Sequence, residues 1–73
     1  MSLLTFEISE DGLEIDIHGS EEGLKSLADK LMRVAQLGEH EHLMTSAWAG
    51  NELSEEKQGI SSTLINKVTI HCW

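Results

Sequence analysis

The sequence predicts an α+β fold, in which one amphipathic helix packs on one face of a small, mostly antiparallel sheet in the order β-β-α-β-β. Apolar residues alternate with polar ones in both halves of the 73-residue chain, and between them apolar residues recur every three or four positions. A sheet with one apolar face and a helix with one apolar stripe can bury both against each other. The length is typical of one domain, so residues 1–73 are expected to form a single domain.

The first two strands are predicted to form a hairpin. Alternation runs through residues 3–9 and resumes at residues 13–18, with Glu10-Asp11-Gly12 between them. An Asp-Gly pair between two alternating runs is a strong turn signal, since glycine accepts a positive φ. The apolar set is expected to face the core, and the polar set, which includes Thr5 and Glu7, is expected to face solvent or a partner.

Residues 20–37 are predicted to form the single long helix. Ser20 is a good N-cap, and Glu21 and Glu22 place negative charge in the first turn, where the helix dipole favours it. Gly38 is placed to end the helix in the left-handed conformation. The apolar stripe consists of Leu24, Leu27, Ala28, Leu31, Val34 and Ala35.

The second half of the chain predicts two further strands joined by a loop. His40, His42 and Met44 alternate with their neighbours in a third strand. Residues 50–62 are expected to be a loop with a short helical turn at 54–57, and residues 64–72 a last strand with the Cys72 side chain facing the core. The predicted core consists of Leu4, Phe6, Ile8, Leu13, Ile15, Ile17, Leu24, Leu27, Leu31, Val68 and Ile70.

Composition excludes several classes of function. Five basic residues stand against thirteen acidic ones, giving a net charge of −8, which argues against binding to nucleic acid or to an anionic membrane. A single cysteine cannot form an internal disulfide. No apolar run approaches the roughly 20 residues that span a membrane, and the first residues lack the features of a signal peptide. The expected location is the cytoplasm.

Residues with catalytic or metal-binding potential are present but sparse. His40 and His42 share one side of a strand and could chelate zinc, copper or nickel if His18, His71 and Cys72 converged on them. No second paired motif supports such a site, so no metal or cofactor is predicted. No nucleophile with a placed base and no glycine-rich phosphate loop is recognisable, so an enzyme is not predicted.

Two tryptophans are candidates for contacts with a partner. Trp48 lies in the segment S-A-W-A-G and is interpreted either as a lid on the core, the commoner outcome, or as an exposed anchor. Trp73 has the same two interpretations. Tryptophan is enriched among residues that dominate binding energy at protein interfaces. A dense acidic surface suits a basic partner, because complementary charge raises association rates.

The run HEHLMTSAWAGNELSEEKQG and the ending LINKVTIHCW resemble the small bacterial immunity proteins of polymorphic toxin systems, of the immunity protein 32 type. The resemblance covers nearly the whole chain, and the central run is its most specific part. It implies direct binding and neutralisation of a cognate toxin domain in the cytoplasm of the producing cell.

The resemblance and the charge together predict a basic toxin domain as the partner, and a nuclease would fit because its cleft must be basic. Two alternatives stay open: a self-associating structural module, such as a homodimer, and a histidine-based metal-binding protein. The predicted partner-binding residues are His40, His42, Trp48, Gly50, Asn51, Glu52, Glu55, Glu56 and Trp73.

Overall fold

A computed structural model describes residues 2–73 of the chain and confirms the α+β class. The elements are β1 (Leu4–Ile8), β2 (Ile15–Gly19), α1 (Glu21–Leu37), β3 (His40–Met44), a 3₁₀ turn (Ser46–Trp48), β4 (Thr63–Leu64) and β5 (Lys67–His71). The strands pair antiparallel, but in two sheets rather than the one that was expected. One sheet has the order β2-β1-β4 and the other pairs β3 with β5.

The predicted hairpin of β1 and β2 is confirmed. Leu4 lies opposite Gly19 and Ile8 opposite Ile15. Gly12 has a φ of +74°, and its backbone N–H donates to the carbonyl oxygen of Ser9 over 3.0 Å. The turn is wider than the Asp-Gly pair alone, so β2 begins two residues later than expected.

Both predicted ends of the helix are confirmed. The Ser20 hydroxyl oxygen accepts the Gly23 N–H over 3.0 Å and also the Leu3 N–H over 2.9 Å. Gly38 has a φ of +68°, and its N–H donates to the Val34 carbonyl oxygen. A Cβ added to Gly23 would overlap the Leu3 carbonyl oxygen, so the first turn of α1 lies directly against the start of β1.

The core lies where α1 and the two sheets meet. The predicted core included Leu4 and Leu27 of the buried cluster, but it missed Leu43 of β3, Leu53 of the segment after the 3₁₀ turn, and the buried Val34 of α1. The predicted core residue Ile8 is only partly buried. The buried cluster consists of Leu4, Leu27, Leu43 and Leu53, with Phe6, Val68 and Ile70 packed against it.

The prediction that the apolar face of β2 is buried was wrong. The exposed fractions of Leu13, Ile15 and Ile17 are 83%, 61% and 48%. The helix approaches the sheet at the start of β1 and at Gly19, and leaves the rest of this face uncovered. For the same reason Leu24 and Leu31 on α1 remain nearly half exposed instead of buried.

The prediction that Thr5 and Glu7 face solvent or a partner was also wrong, since both are buried under the loop that precedes β4. Residues 54–57 form no helical turn.

The expected last strand is divided between the two sheets. β4 pairs with β1, whereas β5 pairs with β3. At the break, the backbone carbonyl and the side-chain oxygen of Asn66 accept the N–H and the hydroxyl of Thr45. Cys72 follows β5 and is exposed rather than facing the core.

Within residues 2–73, α1 is too short and too polar to cross a membrane.

Candidate functional site

The segment after β3 folds back on the end of that strand. A Cβ on Gly50 would lie within 2.6 Å of the Met44 Cβ, so glycine is required for this close approach. The Leu53 N–H donates to the Met44 carbonyl oxygen over 3.1 Å, and Glu52 Oε1 accepts the Met44 N–H over 3.0 Å. The hydrogen bond from the Met44 N–H to the Glu52 carboxylate is the main cause that holds the pKa of Glu52 below its usual range.

The same segment is also tied to β1. Leu53 is buried in the core. The Ser54 N–H donates to the Leu4 carbonyl oxygen over 2.7 Å, and the Ser54 hydroxyl accepts the Leu4 N–H over 3.2 Å. Residues 52–54 therefore have structural roles in the segment G-N-E-L-S, while Asn51 remains exposed.

Trp48 stands on the outer side of this segment. Its exposed fraction is 55%, so the ring is not buried as a lid on the core. Ala49 follows with a φ of +65° and turns the chain towards Gly50. Glu55 accepts a hydrogen bond from the Ser46 hydroxyl in the 3₁₀ turn. The turn thus carries an exposed aromatic ring and has an exposed carboxylate against its first residue.

The histidines of β3 lie on the outer face of the two-stranded sheet. The ring centroids of His40 and His42 are 4.9 Å apart, and those of His40 and His71 are 5.9 Å apart. His42 Nδ1 lies 3.2 Å from the Thr69 hydroxyl oxygen. His18 is in the other sheet, beside Glu7. Among residues 2–73, no group of three or more His, Cys, Asp or Glu side chains is arranged to hold a metal ion.

A buried carboxylate, which the sequence did not reveal, fixes the loop before β4. Glu7 is fully buried. It accepts the backbone N–H groups of Gln58 and Gly59, each over 2.9 Å, and the hydroxyls of Ser62 and Thr5 over 2.7 and 2.8 Å. Burial alone would raise the pKa of Glu7, but these hydrogen bonds outweigh it and lower the pKa to about 2.

A pocket of about 490 Å³ opens at the Gly19 end of the three-stranded sheet. Apolar side chains of Ile17 and Leu24 line one part of it. Polar groups of His18, Ser54 and Glu56 line another part, so the pocket has an apolar side and a polar side.

The nine residues predicted to bind a partner fall into two groups: some are exposed on the surface, and others hold the local backbone in place. His40 and His42 meet on one face of β3, whereas Gly50 and Glu52 support the turn from behind. Trp73 is fully exposed beyond β5. The sequence analysis did not predict that β2 would be exposed. A signal for it was present, because one helix offers too little surface to cover every apolar residue of the predicted sheet.

The family model of immunity protein 32 matches residues 14–68, which is more than half of the chain. The chain therefore belongs to the immunity protein 32 family, as the resemblance in the sequence predicted. No curated protein and no solved structure matches it.

Proposed function

We propose that this protein binds a cognate toxin domain and neutralises it by occupying its surface, without catalysis. The match of the immunity protein 32 family over residues 14–68 is the observation that carries this proposal. The site of action would be the cytoplasm of the cell that produces the toxin. Residues 1–73 would act as one binding domain.

The charge of the chain supports a basic partner. Its net charge is −8, and exposed carboxylates occur just before and on β2 and along the loop before β4, at Glu14, Asp16, Glu55 and Glu56. Such a surface attracts a positively charged protein over distances of several ångströms and disfavours acidic partners. A nuclease fits because the cleft that holds its phosphate substrate is basic.

The 3₁₀ turn supplies the proposed anchor of the interface. Trp48 is a large side chain that is already exposed, and backbone hydrogen bonds to Thr45 and Ser46 close the turn that carries it, so little backbone conformational entropy would be lost when a partner buries the ring. The other proposed contact residues are His40, His42, Asn51, Glu55, Glu56 and Trp73. Gly50 and Glu52 would act by holding the turn in place.

Co-expression with the toxin encoded beside the gene tests the proposal. We expect the tagged wild-type chain to retain the toxin domain on purification and to restore growth of the host cell. Protection should require a stoichiometric amount of the protein, because nothing is turned over. If the wild-type chain binds no product of a neighbouring gene, the proposed function is wrong.

Trp48→Ala tests the anchor. We expect binding to weaken by about 2 kcal/mol, which is roughly 30-fold in Kd, with the melting temperature unchanged, because the ring is more than half exposed in the free protein. Ile60→Ala, at a fully exposed apolar position outside the proposed contact residues, is the matched control and should bind normally. Full protection by a folded Trp48→Ala variant would remove the anchor.

A further inference from the structure

We infer that the free edge of β2 is a docking site for an extended, basic segment of the toxin, which adds to the three-stranded sheet as a fourth strand. This inference rests on the proposed function and specifies how the partner is held. Addition of a strand to an exposed sheet edge is a recurring mode of recognition, in which backbone hydrogen bonds supply affinity and side chains supply specificity.

The hydrogen bonds of the hairpin identify which backbone groups of β2 are free. The Ser20 N–H donates to the Leu3 carbonyl oxygen, and the Ser9 N–H donates to the Glu14 carbonyl oxygen. Because the direction of these groups alternates along an antiparallel strand, residues 14, 16 and 18 turn their backbone groups towards β1. Residues 15, 17 and 19 turn theirs outward, and within residues 2–73 β2 pairs with no second strand.

The side chains on one face of this edge are apolar and open. Leu13, Ile15 and Ile17 follow each other at every second residue and are all about half exposed or more. Leu24 of α1, also nearly half exposed, approaches Gly19 at the end of the same row. Contiguous apolar surface of this kind on a small protein marks an interaction site more often than isolated exposed residues do.

The opposite face of the edge sets the charge of the occupant. Glu14 and Asp16 are exposed there, and β2 contains no lysine or arginine. Sheet edges are commonly protected from other chains by lysine or proline, and β2 has neither. An added strand would therefore place apolar side chains beside Ile15 and Ile17, and lysine or arginine side chains beside the two carboxylates.

The pocket at the Gly19 end extends this surface. Ile17 and Gly19 of β2 line it together with Leu24 and Glu56. A lysine or arginine at the end of the added strand could lay its methylene stem along the two apolar side chains and direct its charge towards Glu56. The toxin segment that fits is thus an alternating apolar and basic strand with a long basic residue at the end that meets Gly19.

A second copy of this chain fits the edge less well. Pairing β2 with its own copy so that the apolar rows join would bring Glu14 and Asp16 of both chains onto the same face. Each chain would also bring its net charge of −8. Like charges on neighbouring strands are destabilising, so a basic partner is the better occupant.

Charge reversal on and off the edge is the central test. Asp16→Lys and Asp29→Lys change the net charge equally, but Asp16 lies on the edge strand and Asp29 on the exposed side of α1. With the purified toxin domain that the wild-type chain retains, we expect Asp16→Lys to weaken binding at least about 10-fold more than Asp29→Lys does. Equal weakening by the two variants would overturn the inference while leaving the proposed function in place.

The backbone contribution is tested at Ile15, whose N–H points away from β1. Ile15→Pro removes this N–H without removing a bond to β1, whereas Ile15→Thr keeps it. We expect Ile15→Pro to bind more weakly than Ile15→Thr, with both variants folded as judged by their melting temperatures. In the wild-type complex, the amide hydrogens of Ile15, Ile17 and Gly19 should exchange more slowly than in the free protein.

Unchanged exchange at these three amides in a complex that forms would place the toxin elsewhere and overturn the inference. Light scattering of the free protein tests whether a second copy of this chain occupies the edge instead. A dimer that already protects the same amides without the toxin would assign the edge to a second copy. Failure of the wild-type chain to bind any toxin is a separate result, since it contradicts the proposed function first.

Discussion

At the scale of single residues, Glu7 shows how a buried charge can organise a loop. A carboxylate removed from water is costly unless hydrogen bonds replace its hydration. Four donors do so here, two of them backbone N–H groups from Gln58 and Gly59. The loop before β4 has no regular secondary structure of its own, so these bonds, together with those between Ser54 and Leu4, hold it against the sheet.

Glu7→Gln should therefore lower the free energy of unfolding by about 3 kcal/mol at neutral pH, because an amide cannot accept all four bonds and its own donors face N–H groups. Urea unfolding of the variant measures this loss. Glu10→Gln, at an exposed position in the hairpin turn, is the matched control and should change stability by less than about 0.5 kcal/mol.

The same residue sets the response to acid. The pKa of Glu7 is about 2 in the folded protein against an ordinary value of 4.5, so its contribution is complete above pH 4.5 and is lost as the pH falls towards 2. The difference in stability between wild type and Glu7→Gln should shrink over that interval. A difference that stays constant down to pH 2 would contradict this account.

At the scale of elements, the placement of α1 depends on a glycine inside the helix. Gly23 lies in the first turn against the Leu3 carbonyl oxygen, and its neighbour Ser20 binds the Leu3 N–H. This contact brings the start of the helix onto β1. It also explains why the other end of the sheet face, at Leu13 and Ile15, stays uncovered.

Gly23→Ala should destabilise the protein by about 2 kcal/mol or more, although alanine is the better helix former by about 1 kcal/mol, because the added methyl group would force the helix away from β1. Ala28→Gly, at an exposed helix position, is the control and should cost about 1 kcal/mol through helix propensity alone. Thermal unfolding of both variants checks the order. A more stable Gly23→Ala variant would contradict the contact.

The last strand shows where prediction from a local pattern fails. Apolar and polar side chains alternate over much of residues 64–72, so one strand was expected. In the structure, Leu64 lies opposite Glu7 in one sheet, and Val68 lies opposite Leu43 in the other. The break at Asn66 depends on Thr45, 21 residues earlier. Alternation identifies two faces of a segment, but not the strand with which each part pairs.

At the scale of the whole molecule, the excess of acidic residues should affect association with the proposed basic partner. Long-range attraction acts before contact, so it raises the rate of association with a basic partner, whereas dissociation depends on the contacts already formed. A charge of −8 on a chain of 73 residues is large enough for this attraction to matter. The increase in association rate should come from many carboxylates together rather than from one.

The association rate with the proposed toxin partner should therefore fall as salt rises above about 0.1 M, where the screening length is about 10 Å, while the dissociation rate should change much less. Stopped-flow or surface-binding kinetics over about 0.05–0.5 M salt measure both rates. Ile60→Ala, which leaves the charge unchanged, should reproduce the wild-type slope. An association rate that is independent of salt would contradict electrostatic attraction as its source.

The sequence alone was sufficient for features that arise between near neighbours. The hairpin turn at Gly12, the N-cap at Ser20 and the C-cap at Gly38 were all predicted, because turn and cap geometry depends on residues at most a few positions apart. The family resemblance was also readable from the sequence, since it rests on residue identities.

What covers each face of the sheet could be known only from the fold. The bonds between Gln58 and Glu7 and between Ser54 and Leu4 join residues about 50 positions apart. They bury a side of β1 that reads as polar, while the short reach of α1 exposes a side of β2 that reads as core. Alternation specifies which residues share a face, but burial depends on which distant segment packs there, and that is set by the packing of the whole chain.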